Sequence, residues 1–329
     1  MRSGSVTVGE TPTSGRTARR APTGGRGSQR LRRRRRLTVL AFMSPWIVGF
    51  LAFVLYPMIS SLYFSFTTYD LTKPPRWVGL HNYWLLFTQD PVFWQSVRNT
   101  LWIICIGVPA KILFALAVAL VIVRIRRGAG VYRTIAYLPA IVPMVAAGLS
   151  FVYLLNPSGP VNGILGALGL GKPLWFGDPH WAKPGLAIIM IWAAGNTMVI
   201  LLAALLDVPK DLYEAADLDG AGAWARFRRV TLPLISPVLY FALLTGIIEG
   251  FQYFTQAYVA SKAISGNAQT LGAPQNSLMF YGTWLYQQGY SYFHMGYASA
   301  LAWILFLALF AVTLVLIRTS RRWVHYSGG

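Results

Sequence analysis

The chain has 329 residues, of which 55% are hydrophobic and 12% charged, with a mean hydropathy of +0.49. A soluble domain carries about 25% charged residues, so much of this surface is expected to face something other than water. The one cysteine, Cys105, excludes an intrachain disulfide and a thiolate metal cluster, and His81, His180, His294 and His325 share no ligand-like spacing.

The formal charge of +19 is concentrated at the start, where eleven of the 29 basic residues are arginines within the first 36 positions. Residues 1–36, rich in Arg, Gly, Ser, Thr and Pro and ending in RLRRRRR, are expected to be a disordered basic tail. Anionic lipid on the cytoplasmic side attracts each such residue by about 1 kcal/mol. The block abuts an apolar segment with no folded basic domain beside it, which argues against nucleic acid as its partner.

Six uncharged or nearly uncharged segments follow, at approximately 37–66, 99–123, 134–155, 184–206, 234–260 and 293–317. Crossing a bilayer takes about 20 apolar residues, and in lipid such segments must be helical to satisfy their own backbone. The expected fold is therefore an all-α membrane protein with six transmembrane helices. The first segment exceeds a signal-peptide apolar region, and no small-residue cleavage site follows it. Arg and Lys divide 22 to 6 between alternate sets of loops. By the positive-inside rule both termini, including the short tail 319–329, are expected in the cytoplasm.

The outer loops differ in character. Residues 67–98 carry the aromatic run RWVGLHNYWLLF, as an interfacial belt would, whereas 157–183 and 261–292 are rich in Gly, Asn and Gln. Residues 166–173, GALGLGKP, nearly spell a phosphate-binding loop, but Pro173 stands where the Mg²⁺-binding hydroxyl belongs and no strand precedes it. This run therefore binds no ATP and no cofactor is expected here; if ATP drives the protein's work, ATP and its Mg²⁺ are expected on another chain.

The polar interruption on the inner side is DVPKDLYEAADLDGAGAWARFRRVTLP, residues 207–233. Pro209 suits a helix start, and Asp211 with Glu214 three residues later resembles a capping box. Gly220 and Gly222 suit a left-handed corner. A second helix, 223–231, carries Arg226, Arg228 and Arg229 and is expected to stop at Pro233. Leu212, Tyr213, Ala215, Ala216 and Leu218 give the first helix an apolar surface. Such a knob fits a groove in another protein, and equally a helix resting on the bilayer.

EAADLDGAG followed by RRVTLP resembles the EAA loop of permease subunits in binding-protein-dependent ABC importers. The likeness extends over nearly all the chain after residue 37: MSPWIVGFLAFVLYPMISSLYFSFTTYDL, WVGLHNYWLLF, YRTIAYLPAIVP, NTMVILLAALLDVPKDLYEAA and HMGYASALAWILF are similar to the maltose-transporter type of sugar permease. The resemblance implies a permease domain over 37–318 in a bacterial cytoplasmic membrane. It implies as partners a second permease chain, two ATPase subunits and an extracytoplasmic solute-binding protein. It also implies that Glu214, Ala215, Ala216 and Gly220 dock on an ATPase, with Leu232 and Pro233 closing the motif. Many relatives read G-G-P-Q-N before the last helix where this chain has Gly272-Ala273-Pro274-Gln275-Asn276, a departure in the loop expected to meet the binding protein.

Ionisable groups inside a membrane are costly and usually face a cavity or a partner helix. The fifth segment, TGIIEGFQYFTQAYV, spaces Glu249, Gln252, Tyr253 and Gln256 by three and four, hence along one helical face. Amides, a carboxylate and rings suit a neutral polyol, and the resemblance adds Trp192, Gly195, Asn196 and Thr197 on the fourth segment. The same groups would also serve as interhelical hydrogen bonds of about 0.6 kcal/mol each. Lys111, within the second segment, is expected either to pair with an acid such as Glu249 or to snorkel. Pro139 and Pro143 should kink the third. Glycerol 3-phosphate as cargo would want arginines that the fourth and fifth segments lack, and an ATP-independent carrier would leave the EAA segment unexplained. No paired carboxylates, metal cluster or nucleophile-and-base set points to an enzyme.

Overall fold

The computed structural model describes residues 27–265 and 271–320. Most of the expected tail therefore lies outside the described residues, although the helix entering the first span already begins at Gly27 and takes in RLRRRRR. The chain divides into two compact units, one ending at Met58 and the other starting at Ile59.

The first unit holds the start of α1 (Thr38–Ser65), a helix with Pro45 inside it and a π-turn at Leu51–Leu55. Phe42 and Phe53 are each 83% exposed. Side chains of that kind are satisfied by lipid or by another apolar surface.

In the second unit a short antiparallel ribbon pairs β1 (Thr67–Thr68) with β2 (Arg76–Trp77). Helix α2 (His81–Thr88) follows. The long α3 (Pro91–Arg124) starts earlier than the apolar run that announces it. Asp90 is the reason: its Oδ1 accepts from the Phe93 N–H at 2.9 Å, and Pro91 occupies the first helical position. A π-turn at Ile103–Gly107 precedes Pro109, giving the proline ring the room that a regular turn denies it.

The third and fourth expected spans are bent pairs. Helices α4 (Ala129–Ile141) and α5 (Met144–Leu154) meet at 95°, across Val142 and Pro143. Val142 is extended, as the residue before proline must be to avoid its ring. After the short helix α6 (Pro160–Ala167) come α7 (Pro179–Trp192) and α8 (Gly195–Leu206), bent by 48° at Ala193–Ala194. Next come α9 (Lys210–Leu218) and α10 (Ala223–Arg226).

The fifth expected span is α11 (Ser236–Phe251) followed, after a break at 252–254, by α12 (Thr255–Ser265). Helix α13 (Tyr281–Tyr286) and the last span, α14 (Met295–Ser320), complete the described chain. Four helices are thus long and apolar enough to cross a membrane, or six spans if each bent pair counts once.

Helix α3 is the mast of this unit because it enters all three buried clusters. Phe93 packs with Leu86, Trp284 and Leu301. Ile103 and Val108 pack with Leu186, Ile189 and Phe280. Ala115 and Ala119 pack with Met198, Leu201 and Leu205. Where lipid replaces water, close packing rather than burial holds helices together. Gly246 and Gly250 show how: a Cβ at either would come within 2.6 Å of Val108 or Ile104 on α3.

Candidate coupling corner and solute pathway

The corner is built by its own backbone. Pro209 caps α9, and no side chain accepts at that cap, so Asp211 and Glu214 form no capping box. The reason is register: Asp211 already lies in the first helical turn, where it favours the positive helix end instead. At the other end Gly220 takes φ +72°. Its N–H donates to the Asp217 carbonyl at 3.1 Å, while the Ala221 N–H reaches back to the Ala216 carbonyl at 2.9 Å. These are the two bonds of a Schellman stop, which needs a left-handed residue that glycine supplies without strain.

Two side-chain ties then close the angle. Arg226 Nη1 donates to Asp217 Oδ1, and the Tyr213 and Thr231 hydroxyls share a hydrogen bond of 2.9 Å. Beyond Arg226 the backbone widens into a π-turn at Phe227–Thr231 and stays helical through Leu234. Pro233 therefore does not stop this helix as its sequence suggested. Pro233 lacks an N–H and crowds the carbonyl four residues back, and the π-turn just before it relieves that conflict.

The corner has a greasy back and an open front. Tyr213, Phe227, Val230 and Leu234 pack against the cluster of Ala119, Met198 and Leu205, so the corner rests on the C-terminal parts of α3 and α8. Glu214, Ala215 and Gly220 are exposed, Ala216 is half-buried, and Leu232 and Pro233 are half-buried at the root. Leu218 is 91% and Trp224 70% exposed.

The membrane-embedded polar residues are less united than their spacing suggested. The break after Phe251 means that Glu249, Gln252, Tyr253 and Gln256 do not share one helical face. Glu249 lies in the last turn of α11 and meets Lys111 Nζ at 2.8 Å, so the lysine pairs rather than snorkels. Gln252 is exposed. Tyr253 turns inward, 5% exposed, with its ring 5.1 Å from Phe280 and its hydroxyl 3.4 Å from the Leu186 carbonyl. Gln256 is half-buried and reaches Met144 Sδ at 3.4 Å.

On the fourth span Trp192 and Gly195 border a cavity of about 140 Å³ together with Phe114 and Pro139, whereas Asn196 borders another, of about 440 Å³, with Arg133 and Tyr137. Thr197 is half-buried. Gly195 has a packing reason to be glycine: a Cβ there would lie 3.0 Å from Ala140 and 3.1 Å from the Ala136 carbonyl on α4.

With this geometry in place, the likenesses are informative. The family described as "binding-protein-dependent transport system inner membrane component" matches residues 111–325, well over half the chain. The chain belongs to this family. The matched region of the permease contains Lys111, the corner and Glu249.

A probable ABC transporter permease protein, YesP, of Bacillus subtilis (strain 168) is 38% identical over 296 residues, covering 89% of this chain and 94% of its own. AraP from the same organism, an arabinooligosaccharides transport system permease protein, is 31% identical over 286 residues, covering 85% and 87%. Among solved structures, a chain of a bacterial alginate ABC transporter is similar, in a complex with an alginate-pentasaccharide-bound periplasmic protein. It superposes with a TM-score of 0.69 at 26% identity, covering 88% of this chain and 96% of that one. The permease is thus a multi-pass transport component rather than an enzyme.

Sequence reasoning missed the Asp217–Arg226 tie, which joins positions nine apart across a corner and so has no helical period. The signal that could have found it was the Gly220–Gly222 pair, which folds the two helices onto each other.

Proposed function

We propose that this chain is the membrane-spanning permease subunit of a bacterial sugar importer, with both termini in the cytoplasm. Residues 210–234 dock on an ATPase subunit that holds the ATP and Mg²⁺. A second permease chain completes the pathway, and an extracytoplasmic binding protein delivers the solute. The sugar class rests on what its relatives are named for: arabinooligosaccharides for AraP, alginate for the similar structure.

The observation that carries the reading is the corner. A rigid two-helix element presents Glu214, Ala215 and Leu218 outward while its back is fastened to α3 and α8. Displacement of the front by a closing ATPase would pass directly into those helices. In α3 and α11 the Lys111–Glu249 pair then lies where rearrangement would be felt.

The test is uptake. The chain is reconstituted with its partner permease, ATPase and binding protein in vesicles holding ATP. Labelled arabino-oligosaccharide, lactose and glycerol 3-phosphate are offered outside. A neutral sugar should accumulate in proportion to ATP hydrolysed. Accumulation without ATP, or of glycerol 3-phosphate alone, would overturn the reading.

A further inference from the structure

The second unit contains a cavity of about 660 Å³ that belongs neither to the corner nor to the candidate solute pathway. It opens between the β1–β2 ribbon with α2 on one side and α13 with the start of α14 on the other. With the termini inside, this is the outer face. Ligand sites typically measure about 300–1,000 Å³, so the volume suits a small molecule.

Two buried amides give the cavity its chemistry. Asn82 is 4% exposed, and its Nδ2 donates to the Ser65 and Thr67 carbonyls, both at 2.9 Å. Those two carbonyls fix the amide's orientation and leave Oδ1 without a hydrogen bond among the described residues. Gln288 is 7% exposed, and its Oε1 meets His294 Nδ1 at 2.9 Å, leaving Nε2 likewise without one. Neither atom is sealed off without a partner, so both stay open to the cavity, where a guest can reach them. An acceptor and a donor held this way match a hydroxyl, which both gives and receives.

The charges around these amides argue for a neutral guest. Asp90 is committed: one oxygen caps α3 and the other accepts from Trp284 Nε1 and the Tyr297 hydroxyl. Asp70 accepts from the Thr72 hydroxyl and from the Thr72 and Lys73 N–H groups, all on Oδ1. The Thr72 hydroxyl above all holds its carboxyl below the ordinary carboxylate range, so it remains ionised. Lys73 and Arg76 are exposed at the rim and make no ion pair among the described residues. Two carboxylates oppose an anion and two cations oppose a cation. The rings of Trp284 and Tyr297 add flat apolar surface for C–H faces.

We propose that this outer cavity is a waiting site for a neutral sugar ring, occupied after release by the binding protein and before entry between the spans. The inference rests on the sugar-importer reading and on the outward placement of this face. It assigns Asn82 and Gln288 to the sugar hydroxyls and Asp70 to the rim.

A diazirine-tagged lactose, irradiated with the whole importer complex and mapped by mass spectrometry, tests it. Label should fall on peptides within 67–90 and 281–297, be displaced by untagged lactose, and drop at least five-fold in Gln288→Leu and in Asp70→Ala. Asp70→Asn, which keeps an acceptor, should restore part of it, and equal melting points would show that all three variants fold. Label confined to the fourth and fifth spans, or label that untagged lactose does not displace, overturns the proposal. So does an outcome in which the variants release the binding protein while labelling is unchanged, since the cavity would then take a protein side chain. If the complex imports lactose and yet the outer peptides stay unlabelled, this inference alone fails; if it imports no sugar, the underlying reading fails first.

Discussion

Gly220→Pro is expected to uncouple the permease while leaving it in the membrane. The position has φ +72° and its N–H donates to Asp217, whereas proline fixes φ near −65° and has no N–H to give. The cost to the corner is about 3 kcal/mol or more, enough to open the angle between α9 and α10. The variant should co-purify with far less ATPase, and loaded binding protein should scarcely stimulate hydrolysis. Glu214→Lys reverses an exposed charge without touching the fold, and losing a charge-assisted bond in the groove would cost about 1.5–3 kcal/mol, at least a ten-fold loss of docking affinity. Asp217→Ala removes only the tie to Arg226 and, both partners being partly exposed, should cost no more than about 1 kcal/mol. The graded order is the test: Gly220→Pro and Glu214→Lys severe, Asp217→Ala mild. Three variants that retain full stimulation would mean that the corner merely rests on lipid.

Gly296→Ala is expected to give the largest loss of stability among single-methyl changes. A Cβ at Gly296 would stand 2.0 Å from the Thr67 carbonyl oxygen, and the Gly296 N–H also donates to the Tyr69 carbonyl at 3.1 Å. The obstacle is backbone, so no rotamer change can relieve it. The start of α14 must move off β1, at a cost of about 3 kcal/mol, the upper end for overpacking. The thermal unfolding midpoint of the purified chain should fall by several degrees. Gly130→Ala is the control: it lies in α4 with nothing within 4 Å of a new Cβ, and should be neutral or gain about 0.5–1 kcal/mol. Equal midpoints for the two variants would show that the close approach at Gly296 carries no energy.

The spans and the corner were legible because each is a local pattern. Apolar runs gave the membrane segments, proline announced the break at Val142–Pro143, and glycine announced the left-handed turn at Gly220. The bend at Ala193–Ala194 and the break after Phe251 hold no proline and no unusual residue, so a uniform helical period was carried through them. That error aligned Tyr253 with Glu249, although the break turns Tyr253 into the core beside Phe280. Gly195, which the resemblance sets on the solute pathway, also has a packing role that its neighbours in sequence do not announce: its missing side chain lets α8 approach α4. The outer cavity was invisible for another reason: Asn82 and Gln288 lie some two hundred positions apart, and only the packing of α14 against the ribbon brings them to one space.

The most direct measurement places benzoylphenylalanine at position 215, in the exposed front of α9, and irradiates the assembled complex in its membrane. The expected result is a cross-linked product between this chain and the ATPase subunit, with a yield that changes when ATP binds, and the same probe at Gly163 in α6, which the proposed topology puts on the opposite face, should give none. Adducts with lipid alone, or ATPase products equal at both positions, would contradict it.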